Sequence, residues 1–267
     1  MSVSKGGGLW SPPFALCAVT CYLQTMRLAV VSDIHGNLAA LRAVLDHMDT
    51  QQVDEGISLG DNVGYGADPS PVLRLLRDRK FLSVCGNHEA GLVSPQLRNR
   101  FNPHSREALE LTRGWIEPGL LEMMATMEPV LLRWGYRFVH GMPPDSPFRY
   151  LYEFHDSRLP EVFRLFSEEL CFIGHTHEPK LIRRDGEGHV MELPFVEGEH
   201  LLPQGCRHLV NVGSVGQPRD GDPRAKYVVW DTHARVLTLH CVAYDVDAAA
   251  CRFREAGVPQ RYIDKLY

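Results

Sequence analysis

The chain has 267 residues, length enough for one large domain with a sizeable core. Its net charge of −5 excludes a bulk basic footprint for nucleic-acid backbones, and 44 % hydrophobic with 23 % charged residues is the balance of a soluble globular protein. Seven scattered cysteines without a CxxC pair argue against a disulfide framework or a structural zinc site, and for reduced thiols in a cytoplasmic protein.

Residues 1–25 carry one lysine and a moderately apolar stretch broken by Pro12 and Pro13, with no small-residue cleavage site. They read as a disordered extension, or as sequence upstream of a true start at Met26, rather than as an export signal or a membrane span. From Arg27 the pattern repeats as strand, loop, helix. "RLAVVS" is a β-branched apolar run, and "LAALRAVLDHM" places Leu38, Leu41, Val44, Leu45 and Met48 on one helical face behind an Asn37 N-cap. "EGISLGD" and "KFLSVCGN" are two further strands ending in glycine loops. Residues 74–80 read as the solvated end of a helix and 104–126 as mainly helical, with Trp115, Met123, Met124 and Met127 as packing residues. "VLLRWGYRFVHG" reads as a hairpin turning near Gly135, and a helix is expected at 158–169 before "LCFIGHTH". The runs "KLIRR", "HVMEL", "HLVNVGS", "KYVVWD" and "VLTLHCVAYD" then read as strands, and 246–266 as helical. Mixed αβ units followed by antiparallel strands predict an α/β layered sandwich, with 26–267 as a single domain.

The chemistry-bearing residues fall at the ends of these strands. They are Asp33 and His35 in "SDIHGN", Asp61 in "LGDNVGYG", Asn87 and His88 in "CGNHEAG", His140 in "VHG", and His175 and His177 in "GHTH". Loops at strand ends are where open α/β sheets place their chemistry. A mixed set of carboxylate, amide and imidazole donors suits Mn, Fe or Zn better than Ca or Mg. The donors are too many for one tetrahedral ion but fit two ions sharing a carboxylate, which at a separation of about 3.5–4 Å clamp a phosphoryl group in transfer.

In this order the motifs D-x-H, G-D, G-N-H-E, H-G and G-H-T-H resemble the calcineurin-like metallophosphoesterase superfamily, over roughly residues 26–245. "GDNVGYGADP" and "NVGSVGQPRDGDPRA" are similar to its small bacterial phosphodiesterases of the diadenosine-tetraphosphatase-like kind. The resemblance implies a four-layer α-β-β-α sandwich of two mixed sheets flanked by helices. It implies two divalent transition-metal ions, manganese first, with iron, zinc or nickel as alternatives. One would be held by Asp33, His35 and His177 and the other by Asn87, His140 and His175, with Asp61 between them. Hydrolysis would proceed by in-line attack of a metal-activated water on a small phosphodiester or nucleotide, with Asn87 offsetting phosphate charge and His88 protonating the leaving oxygen. Stable nucleic-acid binding and a membrane partner are not expected.

One departure matters. Protein phosphatases of the superfamily carry G-D-x-V-D-R-G, and here Gly64 and Tyr65 replace the second Asp and the Arg. Protein phosphatase activity is therefore disfavoured, and the orienting group for His88 must come from elsewhere or be absent. Arg219 in "GQPRDGD" is the candidate phosphate contact. Tyr65 either stacks a nucleobase or packs into its own loop. Gly213, Ser214 and Gly216 form either a phosphate-approach loop or a tight turn. Cys85 reads as a small strand residue facing the core. A broad phosphomonoesterase is the alternative enzyme, and a non-catalytic metal-binding scaffold the non-enzymatic alternative.

Overall fold

The computed structural model describes residues 25–267; the expectation for the N-terminal extension therefore falls on residues outside it, Thr25 excepted. The first elements are β1 (Arg27–Val31), α1 (Leu38–Met48), β2 (Glu55–Ser58), α2 (Pro69–Asp78), β3 (Leu82–Ser83), α3 (Asn87–Val93) and α4 (Pro95–Arg98). Next come α5 (Pro103–Trp115), α6 (Pro118–Ala125), the hairpin of β4 (Val130–Arg133) and β5 (Tyr136–Val139), and α7 (Leu159–Val162). The C-terminal half contains β6 (Leu170–Ile173), β7 (Pro179–Arg184), β8 (Val190–Leu193), β9 (Gly198–Leu201) and β10 (Arg207–Val212). It ends with β11 (Ala225–Asp231), β12 (Val236–Val242), α8 (Val246–Glu255) and α9 (Gln260–Ile263).

The strands form two mixed six-stranded sheets, ordered β3-β2-β1-β11-β12-β9 and β4-β5-β6-β10-β7-β8. In the first, β1, β2 and β3 are parallel neighbours, and β11, β12 and β9 continue antiparallel. In the second, β5, β6 and β10 are parallel, and β4, β7 and β8 run against their neighbours. Alternation of side chains along each strand builds the layers. Leu28 and Val30 of β1, Val228 and Trp230 of β11, and Leu170 and Phe172 of β6 fill the space between the sheets. There Phe138 and Phe172 stack with centroids 5.2 Å apart. The intervening residues face outwards: Ala29, Val31, Tyr227 and Val229 meet α1 and α2, while Cys171 and Ile173 meet α7 and its flanking turns. Each fully buried Val, Leu or Phe contributes about 1.5–3 kcal/mol. The α-β-β-α layering implied by the sequence is the architecture observed.

Asn37 caps α1 by accepting from the Ala40 amide, and Leu41, Val44, Leu45 and Met48 bury the expected face. Three local expectations fail. The helix expected over 158–169 is only α7: after it the chain tightens into turns, with the Arg164 and Leu165 amides donating to the Glu161 and Val162 carbonyls, and Arg207 takes the Phe163 carbonyl at 2.9 Å while Phe163 and Phe166 enter the outer core. The strand in "KFLSVCGN" is the two-residue β3, and Cys85 lies beyond it, half-buried, its amide donating to the Glu128 carbonyl at 2.8 Å. Polar "GEHL", not expected as a strand, is β9, an edge that pairs only with β12.

Five of the six parallel strands, β1, β2, β3, β5 and β6, lead into the loops that carry the motifs. No helix among the described residues is long and apolar enough to cross a membrane.

Candidate metal centre

The sequence-predicted donors converge. Asp33, His35 and His177 bring one donor atom each into a group within 4.8 Å, as do Asp61, His140 and His175. His35, Asp61 and His88 form a third such group. Every one of these side chains is buried, as is Asn87. His177 Nε2 lies 3.2 Å from Asp33 Oδ1, and His140 Nε2 lies 3.3 Å from Asp61 Oδ2. His88 Nε2 is 3.8 Å from Asp61 Oδ2.

Backbone conformation explains how His175 and His177, one residue apart, serve the same cavity. Both have left-handed φ, +67° and +65°, and so do Asp33 (+53°), His35 (+48°) and Asp61 (+52°). An extended strand already sets residues two apart on one face; here the left-handed kinks turn both rings into the cavity from the loop after β6, His177 toward Asp33 and His175 toward Asp61.

Three rings are locked by carbonyls. The Nδ1 atoms of His35, His140 and His177 lie 3.1, 3.0 and 2.6 Å from the carbonyl oxygens of Val63, Leu59 and Gln217. Donating Nδ1–H to a carbonyl leaves Nε2 as the inward-facing atom, the one that offers a lone pair once a cation displaces any proton it carries. His175 points the other nitrogen inward, with Nδ1 3.0 Å from His140 Nε2. Glu89, fully buried, accepts from the amides of Asp61, Asn62 and Gly86 at 2.8, 2.7 and 3.0 Å and pins the Asp61 turn. The 213–217 segment is a tight turn that clamps Asp33: Ser214 Oγ donates to the Asp33 carbonyl at 2.8 Å, and the Gly216 amide donates to the same carbonyl at 3.0 Å. A Cβ on Gly216 would sit 1.8 Å from the Ile34 carbonyl oxygen, so no side chain fits there.

The cluster fits a pair of cations on its own chemistry. His35 Nε2 and His177 Nε2 face each other at 3.1 Å, and two imidazole lone pairs at that distance repel unless a positive charge sits between them. Asp33 Oδ1 is buried without a hydrogen-bond partner. The Asn87 amide faces inward in either orientation, with Oδ1 3.1 Å from His140 Nε2 in one and Nδ2 donating to Asp61 Oδ2 at 3.0 Å in the other. Burial alone would raise both carboxyls. For Asp33 the neighbouring His177 and His140 outweigh it, for Asp61 His140 and His88 do, and both acids are held well below the usual carboxylate range. Burial alone would lower His140, yet Asp61 and Asp33 push it up to about 9. The pocket thus draws in positive charge. Burial drives His88 down to about 4 and, with His140 adding to it, His175 down to about 3; burial, then Asp61, raises Glu89 to about 7.

A cavity of about 380 Å³ opens over the cluster, lined among others by Asp61, Asn87, His88, His175 and His177. Arg219 stands at its mouth, with Nη2 3.1 Å from Gln217 Oε1. Tyr65 lines it and also packs downwards, its ring 4.6 Å from His88 and 4.7 Å from Tyr262, its hydroxyl 3.3 Å from Ser105. No carboxylate orients His88: its Nδ1 is buried without a partner, and a Cβ on Gly64 would stand 1.9 Å from that atom. Sequence reasoning assigned no role to Glu89, Arg100, Phe148, Tyr150 or Tyr152, all of which support or line the site. Glu89 stood inside a quoted motif; the aromatic residues carried no signal in spacing.

The wider comparisons agree with this geometry. The model of the calcineurin-like phosphoesterase superfamily domain matches residues 26–235. An uncharacterized protein of Methanocaldococcus jannaschii is 32 % identical over 245 residues, 90 % of this chain and 97 % of its own. The crystal structure of a metallophosphoesterase from Sphaerobacter thermophilus superposes with a TM-score of 0.79 at 34 % identity, covering 90 % of this chain and 98 % of that one. Serine/threonine-protein phosphatase 2 of Escherichia coli is 45 % identical, but over only 62 residues, 23 % of this chain and 28 % of its own. Two sheets whose parallel strands end in a buried Asp/His cluster, a family model spanning most of the chain and full-length relatives lead to one assignment: the chain belongs to the calcineurin-like phosphoesterase superfamily and is a metallophosphoesterase.

Proposed function

We propose that the protein hydrolyses phosphodiester or nucleotide-type esters with two divalent ions, manganese first, at this centre. Asp33, His35 and His177 would hold one ion, and Asn87, His140 and His175 the other, with Asp61 between them. When bound, the ions supply Lewis acidity toward the phosphate oxygens and a nucleophile at neutral pH. The chain's own residues do the rest. Carbonyl-locked imidazoles hold their donor atoms without reorganisation, and Asn87 and Arg219 face the space a phosphoryl group would take. His88, beside that space with Nε2 3.8 Å from Asp61 Oδ2, donates to the departing oxygen. The anionic charge of a bound phosphoryl group favours protonated His88 and so opposes the effect of burial.

The observation that carries this reading is the buried cluster of facing ring nitrogens and unpaired carboxylate oxygen beneath an open cavity with an arginine at its mouth. Its test is turnover of bis-p-nitrophenyl phosphate and p-nitrophenyl phosphate by metal-stripped protein, with and without Mn2+, in wild type and Asp61→Asn. Mn2+-dependent cleavage of the diester, reduced at least a hundredfold by the substitution, is expected. Preference for the monoester would shift the assignment to a phosphomonoesterase. Absence of turnover with any divalent ion would contradict it.

A further inference from the structure

We propose that a second cavity beside the metal centre is a subsite for an uncharged planar ring of the substrate, a nucleobase or similar heterocycle, borne by the ester whose phosphate the metal centre holds. The proposal rests on the phosphoesterase reading and adds the substrate's second recognition element. The cavity measures about 430 Å³, within the roughly 300–1,000 Å³ typical of small-molecule sites. Tyr150, Tyr152 and Arg219 line both it and the cavity over the metal cluster, so the two spaces share a wall and a mouth.

That wall is a ladder of rings. Tyr150 stacks on His175 with centroids 3.7 Å apart and planes 19° from parallel. Tyr152 stacks in turn on Tyr150 at 4.6 Å and 17°. A substrate with its phosphate at the His175 end therefore meets aromatic surface as it extends away from the metals. Tyr152 is 65 % exposed, so the outer end of this ladder is accessible to a bound ring.

The rest of the cavity selects the kind of group. Its inner lining is apolar, from Leu151, Phe154, Leu159 and Ile182. Its rim is polar but without net charge, since Glu178 and Glu192 balance Lys180 and Arg219. Lys180 is already engaged, with Nζ 3.2 Å from Glu192 Oε1. With that pair mutually neutralised, a phosphate chain reaching in would meet the carboxylate of Glu178 and the guanidinium of Arg219, and no surplus of positive charge. A flat ring with polar edges finds a stacking surface, an apolar floor and hydrogen-bonding partners at the rim.

The experiment compares adenosine 5′-monophosphate with ribose 5-phosphate, which share sugar and phosphate and differ by the base. Each is titrated calorimetrically into Mn2+-loaded full-length protein and assayed as a competitor of bis-p-nitrophenyl phosphate cleavage. Base stacking on an aromatic side chain corresponds to roughly tenfold or more in affinity. The adenosine compound should bind at least tenfold more tightly, and the ratio should fall below threefold in Tyr152→Ala, whose exposed position spares the fold. Glu192→Trp, which fills the cavity from an exposed strand, should lower the ratio likewise. Equal affinities in the wild type, or a ratio that survives either substitution, would overturn the subsite. If bis-p-nitrophenyl phosphate is still turned over in that case, the phosphoesterase reading stands alone. If no ester is cleaved and neither compound binds, both fall.

Discussion

Five candidate ligands, Asp33, His35, Asp61, His175 and His177, sit in left-handed backbone that side chains other than glycine's seldom adopt. Each such residue costs on the order of 1–3 kcal/mol and persists only where its surroundings over-determine it. Glu89 is one of those surroundings, since a single buried carboxylate takes three amide protons from the Asp61 and Gly86 turns. Glu89→Gln keeps the shape but replaces an acceptor oxygen with a donor that faces amide N–H groups. Outer partners of metal ligands typically contribute 10–100-fold to metal affinity. Calorimetric titration of Glu89→Gln with Mn2+ should therefore show binding weakened by about that factor, with the fold retained by circular dichroism. Affinity within twofold of wild type would show that the Asp61 turn holds its shape without the carboxylate.

Among the elements, those with alternating or 3.6-residue apolar patterns are legible in the sequence. The faces of β1, β11 and α1 follow from Leu28, Val30, Val228, Leu41 and Val44 alone. What could not be read is set by partners distant in the chain. β9 is a strand because β12 lies beside it, the chain turns after α7 where Arg207, 44 positions on, takes the Phe163 carbonyl, and Tyr150 matters because His175, 25 positions on, lies under its ring. The ligand types were visible because carboxylates and imidazoles announce their chemistry, whereas Glu89 acts 28 residues from Asp61. The strand β10 adds a residue with a consequence for stability. His208 is fully buried, neither ring nitrogen has a partner, and burial, with Arg183 and Arg235 nearby, pushes its imidazole down to about 4 from 6.5. As pH falls through 6.5 the unfolded chain takes up this proton, while the folded chain does not until about 4. The contribution is thus complete above 6.5 and is lost as pH falls from there toward 4. Between pH 7 and pH 5 the loss is about 2 kcal/mol. Urea midpoints should fall over that interval in wild type and fall measurably less in His208→Leu; parallel pH profiles would remove His208 from the explanation.

Over the whole molecule, two sheets with opposed faces bring together loops that are up to 144 residues apart in sequence, from Asp33 to His177, around one buried cluster. A chain of net charge −5 that binds a phosphate ester must supply positive charge locally, and the cluster is built to take it in as cations. The number of ions it takes is the most direct measure of this. Metal-stripped wild-type protein should bind two Mn2+ per chain by calorimetry, with the same count in native mass spectra, and Asp61→Asn should lose at least one. A single ion or none in the wild type, or two ions bound with unchanged affinity by Asp61→Asn, would contradict a dinuclear centre joined through Asp61.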